Sequence, residues 1–188
     1  MRITIGRMAA GVALAALPAA LAAQHTAMEV KHEVGVDIGF AYEHQSAIDS
    51  TAVVALNHFL IATPVDLRIG FAAGAKLVVE PRIILAFDSK GAGGTSQYIF
   101  TPDVNLLWAF TGNRQGGYAT VGAGVDLEHA NGQSASQFSI NGGLGTRVPY
   151  ESGAIRLEAF GRYAFKNAGK LLPATFAVGA RIGLSLWH

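Results

Sequence analysis

Carboxylates and guanidinium groups recur in this sequence two residues apart. Asp66 stands before Arg68, Glu80 before Arg82, Asp126 before Glu128 and Arg156 before Glu158. Asp37, Asp103, Arg147, Arg162 and Arg181 complete the set. Two residues is the period of a β-strand, on which alternate side chains share a face. Charges gathered on one face and withdrawn from water must pair or stay hydrated. Two kinds of chemistry follow. The set can be a structural ion-pair network that fills an interior, or it can line a narrow polar path for ions or small solutes. Mixed signs in near balance favour the network.

Other chemistry is poorly provided for. A His-Ser-acid set, as a rim-located lipid-modifying enzyme would need, has two sources: His44, Ser46 and Asp49 on one stretch, His129 and Ser134 on another. Neighbouring strand residues face opposite sides, so Glu43-His44 and Glu128-His129 cannot work as local pairs. Neither stretch matches a nucleophile motif, and both read as polar loops. No histidine pair stands at i,i+2 or i,i+4, so no metal site is expected. Gly91 to Gly94 is followed by no Lys-Ser/Thr and opens no helix, which excludes a phosphate loop. Gly122-Ala123-Gly124 lies inside a strand pattern and is no dinucleotide fingerprint. No catalytic, cofactor or metal residue is assigned, and a non-enzymatic protein is expected.

Composition narrows the class. Hydrophobic residues are 51% of the chain and charged residues 14%, against roughly 25% charged in soluble domains. Glycine takes 23 of 188 positions, well above the usual ~7%. A net charge of +1 offers no electrostatic case for nucleic acid. The absence of cysteine removes disulfides, thiolate metal sites and a lipoprotein anchor.

The elements that must position these charges are strands. Residues 1–23 form a secretory signal peptide: Arg2 and Arg7, an Ala/Leu/Val core over Met8 to Leu17, Pro18, and Ala20-Leu21-Ala22 before the cut. Its core is too short to span a bilayer as a helix. A single domain occupies residues 27–188. Alternation predicts strands over Glu33–Glu43, Ala55–Phe71, Lys76–Asp88, Gln97–Thr111, Tyr118–His129, Gln137–Val148, Ala154–Lys166 and from Thr175 to the end. Pro64 removes a ladder donor and predicts an irregular spot in the second. In the last strand Phe176, Val178, Ala180, Ile182, Leu184 and Leu186 share one face. A terminal strand must pair on both sides or stay an open edge, and a closed barrel solves this. Eight strands in an up-and-down meander fit.

A soluble ligand-binding barrel would show the same alternation turned inside out. The polar face, however, carries Gly35, Gly39, Gly122, Gly124, Gly143, Gly145, Gly179 and Gly183. A water-facing surface would carry Lys, Glu, Ser and Thr there, whereas a narrow eight-stranded interior needs small side chains. The apolar face carries aromatics near strand ends: Tyr42, Phe87, Tyr98, Phe100, Phe138, Tyr163, Phe165 and Phe176 at one level, Phe71, Trp108 and Phe110 at the other. Two aromatic girdles around an aliphatic belt mark lipid-facing strands.

The last strand resembles the terminal assembly signal of bacterial outer-membrane proteins, through Arg181, Gly183, Leu186 and His188, with His188 where the family usually carries Phe. With the Gly-Tyr-Ala-Thr-Val-Gly-Ala-Gly-Val stretch at 117–125, the whole of 27–188 resembles the small eight-stranded barrels similar to the transmembrane domain of outer membrane protein A. The resemblance implies an all-β, eight-stranded antiparallel transmembrane β-barrel in the bacterial outer membrane; with the sequence stopping at the closing strand, no peptidoglycan-binding domain is expected. Its expected partners are outer-membrane lipid and, through the C-terminal strand, the barrel assembly machinery; a monomer is expected. The expected function is structural or interaction-bearing, with the lumen plugged by ion pairs; a narrow channel is the alternative. The network expected is Asp37, Asp66, Arg68, Glu80, Arg82, Asp103, Asp126, Glu128, Arg147, Arg156, Glu158, Arg162 and Arg181. Glu158 is the only acid among Arg147, Arg156, Arg162 and Arg181 and is expected to be the hub. Asp37, Asp103, Asp126 and Glu128 are expected to reach the surplus arginines from across the barrel.

Overall fold

The computed structural model describes residues 32–46, 56–89, 96–112, 115–130, 133–167, 169 and 172–187. The signal peptide expected over 1–23 and His188 lie outside the described residues. Eight strands follow in chain order: β1 His32–Gln45, β2 Leu56–Ala72, β3 Leu77–Ser89, β4 Ser96–Ala109, β5 Gly116–Ala130, β6 Gln133–Tyr150, β7 Gly153–Ala164 and β8 Thr175–Trp187. Each pairs antiparallel with its sequence neighbours, and β8 pairs with β1 along its length, from Glu33 opposite Trp187 to Gln45 opposite Thr175. The barrel is closed, so no strand presents an open edge.

The strands extend where ladder partners are available. β5 and β6 pair as far as Ala130 with Gln133, although Gln133 to Ser136 reads as polar loop. Hydrogen bonding to a committed partner strand overrides a weak local preference. At its other end β6 runs through Pro149, at the rim of the barrel, to Tyr150. β7 stops two residues short of the expected Lys166. The irregularity expected near Pro64 is there: Ile38 pairs with Val65 and Phe40 with Ile61, so β2 spends two extra residues against β1 at that point. Proline has no N–H to give the ladder.

The two ends differ. Turns 73–76, 110–115 and 151–152 share an end with the first residue of β1 and the last of β8. Gly116 sits there at φ 80°, which favours glycine. The other end holds connections 46–55, 90–95, 131–132 and 165–174, of which 46–55 and 165–174 are longer than any at the first end. Short turns on the side of the termini are the periplasmic pattern of outer-membrane barrels.

Burial is inside out. Phe59 is 74% exposed, Leu144 65% and Val121 62%, while Glu80 and Asn105 are fully buried. Leu67, Ile69, Val104, Leu106, Ile140, Ile182 and Leu184 all face outward. An apolar exterior around a charged interior belongs in lipid, where every backbone group must be bonded within the barrel. Tyr42, Phe59, Tyr98, Phe138, Tyr163, Phe165 and Phe176 ring the loop end, and Phe71, Trp108, Phe110 and Tyr150 the other. The inward glycines make room for large side chains on neighbouring strands. A β-carbon on Gly35 would overlap the Arg68 guanidinium, one on Gly122 the Asn105 amide, one on Gly145 the Tyr118 ring and one on Gly183 the Asp37 carboxylate.

Candidate functional site

The lumen is the candidate site, and it is layered. At the short-turn end β1 contributes Glu33 and Asp37, β2 Arg68, β3 Glu80 and Arg82, β6 Arg147 and β7 Arg156, all buried. Arg68 Nε donates to Asp37 Oδ2 at 2.8 Å, and its Nη1 bonds Glu33. Arg68 Nη2 donates to Ser185 Oγ at 2.7 Å, and that hydroxyl donates to Glu33 Oε1 at 2.6 Å. Arg147 Nη2 reaches Glu33 Oε2 at 2.6 Å and lies 3.4 Å from Glu80. Arg156 Nη1 donates to Glu80 Oε1 at 2.7 Å and stands 3.5 Å from Glu33; Arg82 Nη2 donates to Glu80 Oε2 at 3.0 Å. Beside these, Val78, Leu107, Ala109 and Tyr118 form a small apolar cluster. The Arg156 guanidinium lies 4.8 Å from the Tyr118 ring centre, a cation–π contact.

A second layer joins β2, β7 and β8. Glu158 accepts from Arg181, from Tyr118 Oη at 2.9 Å and from Thr120 Oγ1 at 3.3 Å, and pairs with Arg156 at 3.3 Å. Arg181 Nη1 also donates to Asp66 Oδ2 at 2.5 Å, and Arg82 Nη1 lies 3.6 Å from the same oxygen. The Arg181 guanidinium stacks 5.0 Å from the inward ring of Phe160.

The third layer lies toward the loops. Arg162 bonds Asp126, which also accepts from Thr101 at 2.9 Å and Ser139 at 3.4 Å. Asp103 accepts from Asn105 Nδ2 at 2.7 Å and Asn141 Nδ2 at 3.0 Å. Glu128 is half-buried and accepts from Gln137 at 3.4 Å. Between the second and third layers is a cavity of ≈ 40 Å³, lined by Asp37, Gly39, Asp66, Ile84, Asp103, Asn141, Phe160, Arg162 and Arg181.

Every inward charge read from the alternation faces the lumen, but its partners differ from those expected. Glu158 touches two arginines, whereas Glu80 and Glu33 each touch three. Of the acids expected to reach the four-arginine wall, Asp126 takes Arg162, while Asp37 pairs with Arg68 on β2 and Asp103 and Glu128 are held by amides. Strand tilt explains the change, because residues level along the barrel axis are offset in sequence from strand to strand. Glu33, Tyr118, Asn105, Asn141 and Ser185 were not among the expected network. All share the inward parity of their strands, and that parity was the available signal.

The remaining candidates are dispersed. His44 Nδ1 lies 2.7 Å from Asn57 Oδ1, an oxygen that also accepts from Tyr42 Oη at 2.9 Å. Ser46 Oγ accepts from the backbone N–H of Ala174 at 3.1 Å. Asp49 and the His129 side chain lie outside the described residues; Ser134 is the register partner of His129 across the hairpin and is exposed. Among the described residues no group of three or more His, Cys, Asp and Glu could hold a metal ion. In the terminal signal, Arg181 is ion-paired in the lumen, Gly183 abuts Asp37 and Leu186 faces outward at 51% exposure.

No protein-family model matches the sequence, and no curated protein matches it. Solved structures do. Neisserial surface protein A superposes with a TM-score of 0.57 at 13% identity, covering 84% of this chain and 97% of that one. Ail, the attachment invasion locus protein of Yersinia pestis, gives 0.46 at 13% identity, with 85% and 99% covered. OprG from Pseudomonas aeruginosa gives 0.47 at 11% identity, with 85% and 97% covered. The chain thus has the fold of the small eight-stranded outer-membrane β-barrels.

Proposed function

We propose that this is a non-enzymatic outer-membrane barrel whose ion-pair network closes the lumen, so that its dealings with the surroundings run through its outer surface and loop end. The observation that carries the reading is the bridging of the lumen by Glu33 and Glu80, which together hold Arg68, Arg82, Arg147 and Arg156 beside a small apolar cluster. A pathway needs groups that bind weakly enough to release an ion. Here the guanidinium groups are committed to carboxylates, those of Arg68, Arg147 and Arg156 across strands and that of Arg82 along its own. β8, paired on both sides, serves in this reading as the handle for the assembly machinery, and the barrel acts as a monomer.

The cavity between the second and third layers favours one other reading, a narrow conducting path. Planar-bilayer recording of the purified protein separates the two. The sealed barrel gives no steps above the bare bilayer in molar KCl. Reproducible unitary steps would put the channel reading in its place.

A further inference from the structure

The charges of the lumen do not balance pair by pair. Among the described residues every other buried carboxylate has a guanidinium within 4 Å, and Asp103, 6% exposed, has none. Its hydrogen bonds come from two neutral amides, Asn105 and Asn141. Those bonds orient both amides, because only an NH₂ group can donate to a carboxylate. Asn141 Oδ1 is thereby left without a donor, and so is Asp66 Oδ1, on a residue 2% exposed. Asp66, Asp103 and Asn141 line the same ≈ 40 Å³ cavity. Arg162 and Arg181 also line it, but Arg162 is engaged by Asp126 and Arg181 by Asp66 and Glu158.

A buried carboxylate without a counter-charge is costly, whereas one with a counter-charge and satisfied oxygens is not. What the cavity lacks is one positive charge and donors for carboxylate and amide oxygens. Oxygen-only walls suit hard cations. The space exceeds that of one water but is too small for a bulky organic ion. The deficit of a single charge argues against a divalent ion, since Asp37 on the same wall is committed to Arg68. We infer that this cavity is a binding site for one small monovalent cation, held by Asp103 with Asp66 Oδ1 and Asn141 Oδ1. Water fills the rest, bonding Arg181 Nε, which has no protein partner. The cation arrives from the loop end, where Glu43 and Glu128 sit on the inward parity.

The test is the thermal unfolding midpoint of the purified, folded barrel in non-ionic detergent, in chloride salts of Na⁺, K⁺ and N-methylglucamine at equal ionic strength. Expected is a saturable upward shift of a few degrees with Na⁺ or K⁺ over N-methylglucamine. Asp103→Asn should abolish that difference, while Glu151→Gln, in an exposed turn at the opposite end of the barrel, keeps it. Equal midpoints in all three salts would overturn the site in favour of water alone or a protonated Asp103. So would an Asp103→Asn barrel that still distinguishes the cations. If that variant does not refold, sodium-23 relaxation of the parent decides: saturable broadening relieved by K⁺ supports the site, and bulk-like relaxation rejects it.

Discussion

Glu80 shows how much one side chain can hold in this barrel. It is fully buried and receives Arg82, Arg147 and Arg156 from three strands. Glu80→Gln leaves a neutral amide facing three guanidinium groups. Breaking one partner of a buried pair typically costs ~3–5 kcal/mol, and urea unfolding of the barrel in lipid vesicles should register a loss of that order. Glu158→Gln should cost less, because Glu158 meets two arginines and Asp66 still holds Arg181. An equal or larger loss for Glu158→Gln would reverse that order of importance. Gly183 is as constrained as any charge, since Asp37 occupies the space its β-carbon would take. Gly183→Val should therefore destabilise by about 1–3 kcal/mol, the usual cost of overpacking. An unchanged urea midpoint would mean that Asp37 can leave Arg68 freely.

At the scale of the strand, parity decides what each position tolerates. Val125 is mid-strand on β5, faces outward and pairs in register with Phe138. Arginine there puts a charge into the apolar belt at the level of the loop-end girdle, at a cost between ~1 kcal/mol near the interface and roughly 2–4 kcal/mol at the bilayer midplane. Val125→Arg folding into vesicles with parental stability would contradict a lipid-facing β5. β8 carries a different burden, because it closes the ladder. Leu184 to Trp187 pair with Val36 to Glu33 on one side, and Leu184 to Leu186 pair with Ile155 to Gly153 on the other. Deleting Leu184 to His188 opens both seams and removes most of the terminal signal. The truncated chain is expected to be secreted, absent from the outer-membrane fraction and degraded. Parental levels in that fraction would show that assembly does not depend on this end of the chain.

At the scale of the molecule, the charged layers act as one body. Arg156 touches Glu33, Glu80 and Tyr118 on three other strands and Glu158 on its own. Effects within such a network are not additive. The same interlocking should set the barrel's conductance. With the parent silent, Glu80→Gln frees arginines in the charged layer at the short-turn end and should produce ion leak in planar bilayers. A silent Glu80→Gln barrel that has lost stability would mean that the apolar cluster of Val78, Leu107, Ala109 and Tyr118 is the seal.

Alternation by itself determined the strand count, the closure by a terminal strand and the face each charge would take. Side-chain direction in a strand is a local property with a period of two, so Arg156, Glu158 and Arg162 could be assigned inward from their spacing alone. The glycines on that parity already implied a crowded interior, and Gly183 against Asp37 is one instance. The partners were another matter. Which acid meets which arginine depends on tilt and stagger, which exist only once the barrel is closed. That is why Glu33, at the start of its strand, became a centre of the network, and why Glu158 was displaced from that place by Glu80. It is also why Asp103, an acid like the others in the sequence, ended bonded by amides, with Arg82 opposite it in register but beyond ion-pair distance. Local chemistry sets the direction of a side chain, and only the closed sheet sets what lies across from it.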